Sequence, residues 1–159
     1  MTINIPVNMP MNMIEVGPAH SDVLAQLHAE GFDAPWTSQS FVQSLSSPGT
    51  FALVAQNKEA HPLGFVLIRS GGGEAEILTL VTRPQFRRQG VAKALMAEGV
   101  ENLKKSSAQK LFLEVATDNP NAAAFYVTLG FTEVGRRKAY YQRAHGACAD
   151  AVLMALSLL

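Results

Sequence analysis

At 159 residues the chain has room for one domain, which would bury roughly 70% of the surface its unfolded form exposes. Thirteen basic and thirteen acidic side chains cancel, so no global field recruits nucleic acid or an anionic membrane, and any polyanion must be met by a local cluster. The single cysteine, Cys148, excludes an intrachain disulfide framework, and neither a signal-like amino terminus nor an apolar run near ~18 residues is present; this reads as a cytoplasmic protein with no membrane and no direct nucleic-acid partner.

Residues 1–12 mix Asn, Pro and Met without a period and read as a flexible leader, with 13–159 as a single domain. Ile14–Val16 suits a short strand and Ala19–Glu30 a helix, with Val23, Leu24 and Leu27 on one side and Gly31 at its end. Thr37 or Ser38 is placed to cap a second helix carrying Phe41, Val42 and Leu45. Trp36, the only tryptophan, is either a core plug or an aromatic wall of a groove between those helices. After Pro48-Gly49, the runs Thr50–Gln56, Pro62–Ser70 and Ala75–Thr82 predict an antiparallel meander of three strands. Gly71-Gly72-Gly73 lacks a following Lys-Ser/Thr and is a turn, not a phosphate loop.

A helix is predicted from Gly90 to near Ser106, with Ala92, Leu95, Met96, Gly99, Val100 and Leu103 as its stripe. Lys110–Thr117 follows as a strand, Leu111, Leu113 and Val115 on one face and Phe112, Glu114 and Ala116 on the other. Asn119-Pro120 reads as the N-cap and first position of another helix, which Gly130 closes, with Ala122, Phe125, Tyr126 and Leu129 sharing a stripe. Phe131–Ala139 and Asp150–Ser157 complete the strands. Cys148, with only His145 beside it, reads as a buried small apolar residue. The fold class is α+β, a sandwich around one mixed sheet.

The stretch Gln85-Phe86-Arg87-Arg88-Gln89-Gly90-Val91-Ala92 joins strand to helix. First-turn N–H groups lack helical partners and carry partial positive charge, so main chain alone can hold a phosphate there. Gly90 lets that backbone approach closely, and the two guanidinium groups can fork onto phosphate oxygens. The plainer alternative is a basic helix start on a solvated surface. Glu114, a carboxylate in an apolar strand, is costly there unless it has partners, such as Arg136 or Arg137 across the sheet, or work to do. The four histidines His20, His28, His61 and His145 show no ligand spacing, so no metal is expected.

Arg87 to Ala92 fits the pyrophosphate signature Gln/Arg-x-x-Gly-x-Gly/Ala, and the chain resembles the GNAT N-acetyltransferase superfamily over about Ile14 to Leu158. Within it the likeness is greatest to the bacterial ribosomal-protein-alanine N-acetyltransferases. It is carried by Pro35-Trp36, Leu113-Glu114-Val115, Asn119 with Asn121-Ala122-Ala123-Ala124, Tyr126, Leu129-Gly130-Phe131, Arg136-Arg137, Tyr140-Tyr141 and Asp150-Ala151-Val152-Leu153-Met154. Arg83 before Pro84, Pro120 after Asn119 and Ala34 before Pro35 depart from the common pattern.

The resemblance implies a sheet splayed between two parallel strands, with acetyl-CoA as cofactor in the splay. It assigns the main chain of Leu80, Val81 and Thr82 to the pantetheine and thioester, and Arg87, Arg88, Gln89, Gly90, Val91 and Ala92 to the pyrophosphate. Asn119 would hold the pantetheine arm, Glu114 would be the base, and Tyr126 the acid, touching cofactor as well. Trp36, Tyr140 and Tyr141 would wall the acceptor groove. The implied acceptor is a protein N-terminus, such as a ribosomal protein's, or a small amine; a non-catalytic acetyl-CoA-binding module would lack the acid and base. An α-amine of pKa near 7.8 is roughly one-seventh neutral at pH 7, a lysine near 10.4 only about once in 2,500, a gap of ~3.5 kcal/mol. One moderate base therefore suffices for an N-terminus.

Overall fold

Alternating burial along seven stretches of chain draws them into one sheet. The computed structural model describes residues 10–143 and 146–159. In order these form β1 (Asn12–Val16), α1 (Ser21–Gly31), α2 (Ser38–Ser46), β2 (Thr50–Gln56), β3 (Pro62–Gly71), β4 (Glu74–Thr82), α3 (Val91–Lys104), β5 (Lys110–Ala116), α4 (Pro120–Thr128), β6 (Thr132–Gln142) and β7 (Cys148–Ser157). The sheet runs β1-β2-β3-β4-β5-β7-β6, antiparallel at every neighbouring pair except the parallel β4 and β5. This is the α+β order expected from the sequence. Two short 3-10 turns opened by Pro18 and Pro84 were not foreseen. Most of the expected leader, and His145, lie outside the described residues; Asn12 belongs to β1, not to a leader. No helix among the described residues is long and apolar enough to cross a membrane.

The caps follow the sequence. Thr37 accepts the N–H of Ser40 at 3.1 Å and opens α2; Asn119 accepts that of Ala122 at 3.3 Å and opens α4, with Pro120 following. Each such cap is worth about 1 kcal/mol. On one face of the sheet α3 buries Val91, Leu95, Met96, Val100 and Leu103 against Val66, Ile68, Leu113 and Met154. Val91 thus takes the place in the stripe expected of Ala92, which is only partly buried. At Gly99 a Cβ would meet Ile68 Cδ1 at 2.8 Å, so glycine brings this helix close to the sheet.

On the opposite face α1 and α2 bury Leu24, Leu27, Phe41 and Leu45 against Ala52, Val54, Phe65, Leu67 and Val81. Val23, expected on the buried side of α1, is 39% exposed, and His28 stands in the stripe instead at 2%. Among the described residues those helices pack chiefly on β2, β3 and β4. The half of this face made by β5, β7 and β6 carries no helix.

The sheet opens at its centre. β4 and β5 pair only through Glu74–Lys110, Ala75–Leu111 and Glu76–Phe112, after which residues 77–82 and 113–116 run on without pairing to each other. A bulge explains the level of the opening. Leu67 faces Thr79 while Ile68 faces Ile77, so Leu78 is an extra residue in β4, and an extra residue bends and twists its strand away from its neighbour. The bulge also exchanges faces: Ile77 packs on the α3 side, whereas Leu78 and Val81 pack towards α1 and α2.

Candidate active site

One edge of the opening is a row of main-chain groups. Arg83 N–H donates to Leu63 O at 2.9 Å, and successive residues of a strand turn their N–H groups to opposite edges. The N–H groups of Leu80 and Thr82 therefore face the gap, while Val81 turns its main chain to β3 and its side chain into the core. Of these three residues, Leu80 and Thr82 are the ones that offer donors to the splay.

Below that edge the chain turns into α3. Arg88 at φ 63 and Gly90 at φ 87 both hold left-handed backbone, and residues in that region beside a helix start curl successive N–H groups into a concave nest for an anion. No side chain caps α3 and no acidic residue stands in its first turn, so its donors remain open to a ligand. A Cβ built on Gly90 would meet nothing within 4 Å, which leaves room in front of the turn. Arg87 and Arg88 are exposed and have no ion-pair partner among the described residues. Main-chain donors, two uncommitted guanidinium groups and no opposing carboxylate suit a pyrophosphate.

Glu114 projects from β5 on the helix-free half of the opposite face. Its side chain is 15% exposed, and its Oε1 lies 3.1 Å from Arg137 Nε, the pairing that the sequence offered as an alternative to catalysis. Beside it a cavity of about 510 Å3 is bounded by Pro48, Arg69, Glu74, Phe112, Arg137 and Leu153, among others. From Glu114 a chain of contacts runs along β6. The Arg137 guanidinium lies over the Tyr140 ring at 5.3 Å, Tyr140 meets Tyr141 edge to face at 5.1 Å, and Arg143 lies over Tyr141 at 5.3 Å. Arg143 ends the series in a two-pronged pair with Asp118, 2.8 and 2.6 Å, beside Asn119.

Tyr126 stands on α4. Its ring packs edge to face on Phe125 and Phe131, filling the core as its stripe predicts. Its phenol makes no hydrogen bond among the described residues, yet no buried side-chain polar atom there lacks a partner, so the hydroxyl reaches open space. Burial first, and Tyr141 next, push its pKa up to about 12. Tyr141 is itself raised, by burial first and then by the Glu114 carboxylate and Tyr140. It stands in the electrostatic reach of both Glu114 and Tyr126.

The sequence missed three parts of this site. His28 accepts the N–H of Trp36 at Nδ1, 3.1 Å, and stacks on Phe32 and Trp36, so it organises the link between α1 and α2; burial lowers its pKa to about 4. Trp36 packs against the core beside Phe41. Arg143 and Asp118 are far apart in sequence and carry no pattern that would pair them. Cys148, expected to be buried, is exposed, because it begins β7 at the hairpin end beyond the core and lines a surface cavity with Thr117, Asp118 and Arg143.

A sheet opened between parallel strands, with an anion nest at its mouth and with Tyr141 in electrostatic reach of both a carboxylate and a phenol, suits a group-transfer enzyme that takes a phosphate-bearing donor. The acetyltransferase (GNAT) family model matches residues 21–131. Ribosomal protein bS18-alanine N-acetyltransferase of Escherichia coli (strain K12) is 30% identical over 141 residues, 87% of this chain and 93% of that protein. The crystal structure of the ribosomal-protein-S18-alanine N-acetyltransferase from Escherichia coli shares the fold at TM-score 0.87 and 23% identity, covering 94% of each chain. Arabidopsis thaliana NAA60 in complex with acetyl-CoA does so at 0.80 and 21%, covering 93% of this chain and 98% of that one. The chain belongs to the acetyltransferase (GNAT) family and is an acetyl-CoA-dependent N-acetyltransferase.

Proposed function

We propose that this enzyme acetylates the α-amino group of a protein N-terminus, a ribosomal protein's among them. The observation that carries the reading is the half-face around Glu114, which no helix of the α1–α2 layer covers and which leaves the carboxylate beside a surface cavity of about 510 Å3. The name of the Escherichia coli relative, for alanine on ribosomal protein bS18, supports it.

Acetyl-CoA supplies the acetyl group as a thioester. Arg87, Arg88 and the main chain of Gln89, Gly90, Val91 and Ala92 hold its pyrophosphate, and Asn119 holds the pantetheine arm while capping α4. The N–H groups of Leu80 and Thr82 stabilise negative charge growing on a carbonyl oxygen in the splay. Glu114 takes the proton of the attacking amine, directly or through water, while Arg137 fixes its orientation. Tyr126 stays protonated across neutral pH because its pKa is about 12. Full transfer to a thiolate of ordinary pKa near 8.5 would be uphill by about 5 kcal/mol, so Tyr126 acts by donating a hydrogen bond as charge collects on sulfur. Trp36, Tyr140 and Tyr141 wall the acceptor path.

The test is a steady-state comparison of wild type and Glu114→Gln on an N-terminal peptide set and a small-amine set from pH 6 to 9. Peptides starting with Ala or Ser should outrun free amino acids, polyamines and peptides whose only amine is lysine. Glu114→Gln should flatten the rise of rate with pH near neutrality, since only amine already neutral can then react. Faster turnover of any small amine than of every peptide would overturn the protein-acceptor reading.

A further inference from the structure

The bulge in β6 decides where the tyrosines of the acceptor wall stand. Across the ladder Arg137 faces Ala151 and Tyr141 faces Ala149, so Lys138, Ala139 and Tyr140 crowd opposite Asp150 alone. Ala139 takes φ 51, a left-handed value that a Cβ disfavours. Asp150 meets that strain directly: its Oδ1 accepts the Ala139 N–H at 2.8 Å. Its carbonyl accepts the N–H of Thr117 at 2.9 Å, where β5 gives way to Asp118 and Asn119. One residue thus ties the bulge of β6 to the end of the strand that carries Glu114.

In a regular strand adjacent side chains point to opposite faces. At this bulge the rings of Tyr140 and Tyr141 instead meet at 5.1 Å, the first over Arg137 and the second under Arg143. Both guanidinium groups are anchored on carboxylates, Glu114 and Asp118. The wall's geometry therefore depends on a backbone conformation that the Asp150 carboxylate holds.

We propose that Asp150 is a positioning residue for the acceptor: by locking the β6 bulge it places Tyr140 and Tyr141 beside Glu114, and it acts on acceptor binding while leaving acetyl-CoA binding alone. This rests on the acceptor entering along that half-face. Asp150→Ala should raise KM for the acceptor about tenfold, the worth of one well-placed hydrogen bond, with kcat within about threefold and acetyl-CoA affinity by calorimetry within about twofold. Asp150→Asn, which keeps an oxygen in place to accept from Ala139, should stay within about threefold of wild type. Ala139→Gly in the Asp150→Ala background should recover part of the loss, because glycine adopts the same φ without a Cβ.

Asp150→Glu moves the oxygen by one methylene and keeps the charge, and it serves where Asp150→Ala does not fold. A raised KM follows if oxygen position matters; an unchanged KM overturns the proposal. Equal losses in KM, kcat and acetyl-CoA affinity, with no rescue by Asn, would equally overturn it in favour of a general structural role. Measuring with both the best peptide and the best small amine separates this result from the identity of the acceptor, since the tyrosine wall confronts either.

Discussion

The cofactor side and the acceptor side of the cleft are built from different materials. On the proposed reading the groups facing acetyl-CoA are largely main chain, the free edge of β4 and the uncapped start of α3, shaped by left-handed residues 88 and 90, with the guanidinium groups of Arg87 and Arg88 beside them. The proposed acceptor side is made of side chains, Glu114, Arg137, Tyr140, Tyr141, Arg143 and Asp118 in sequence of contact. Main chain is present whatever the residue, so apart from Arg87, Arg88 and Asn119 the cofactor side tolerates substitution except where φ is positive. The acceptor side changes with each side chain, so selectivity can drift there while the donor stays the same.

The largest effect expected of this contrast is at Gly90. Gly90→Asp puts a carboxylate in front of the nest, and calorimetry should show acetyl-CoA affinity weakened at least about 100-fold, with circular dichroism confirming the fold. Unchanged affinity in the folded variant would remove the main-chain nest from the cofactor side. Next comes Tyr126, which straddles the division. Tyr126→Phe should lower kcat about 100-fold with acetyl-CoA affinity nearly unchanged; a purely core-filling ring would instead cost stability and leave turnover per folded molecule intact.

The smallest effect sharpens the acceptor side through its support. His28 is 2% exposed and is held neutral, its pKa lowered by burial to about 4 from 6.5. A lowered folded-state value means stability that is present above pH 6.5 and is lost as pH falls towards 4. Between pH 7 and 4.5 wild type should lose about 2.5 kcal/mol that His28→Gln does not, read as the difference in urea unfolding free energies. Parallel losses in both proteins would show that the ring titrates freely.

Much of this was legible from local chemistry. Strand alternation, Thr37 and Asn119-Pro120 as helix starts, and the turn at Gly90 each announce themselves within a few residues, and they fix the element order. The resemblance pointed to Glu114 and Tyr126, and Tyr141 lies in electrostatic reach of both. The bulges at Leu78 and Ala139 escaped because an inserted residue keeps apolar residues alternating while exchanging the faces they reach. The bulge at Ala139 is also why β6 continues to Gln142, past the expected end at Ala139. His28 was not singled out as a core residue because its partner, the Trp36 N–H, belongs to the backbone of another segment. Arg143 met Asp118 only through the return of the β6–β7 hairpin.

The short seam between β4 and β5 gives the protein an unusual mechanical character. Three register pairs join the centre of the sheet, and beyond them β1 to β4 and β5 to β7 are held together by α3 and the core beneath it. On the proposed reading a donor lying in the splay along the free edge of β4 would serve as the crosspiece the sheet lacks. Binding then adds to the folding free energy by mass action, and it does so where the two halves would otherwise breathe apart. Amides of residues 77–82 that face the gap exchange with solvent more readily than those turned to β3. On that reading the protein loaded with acetyl-CoA would be a more continuous solid than the protein alone.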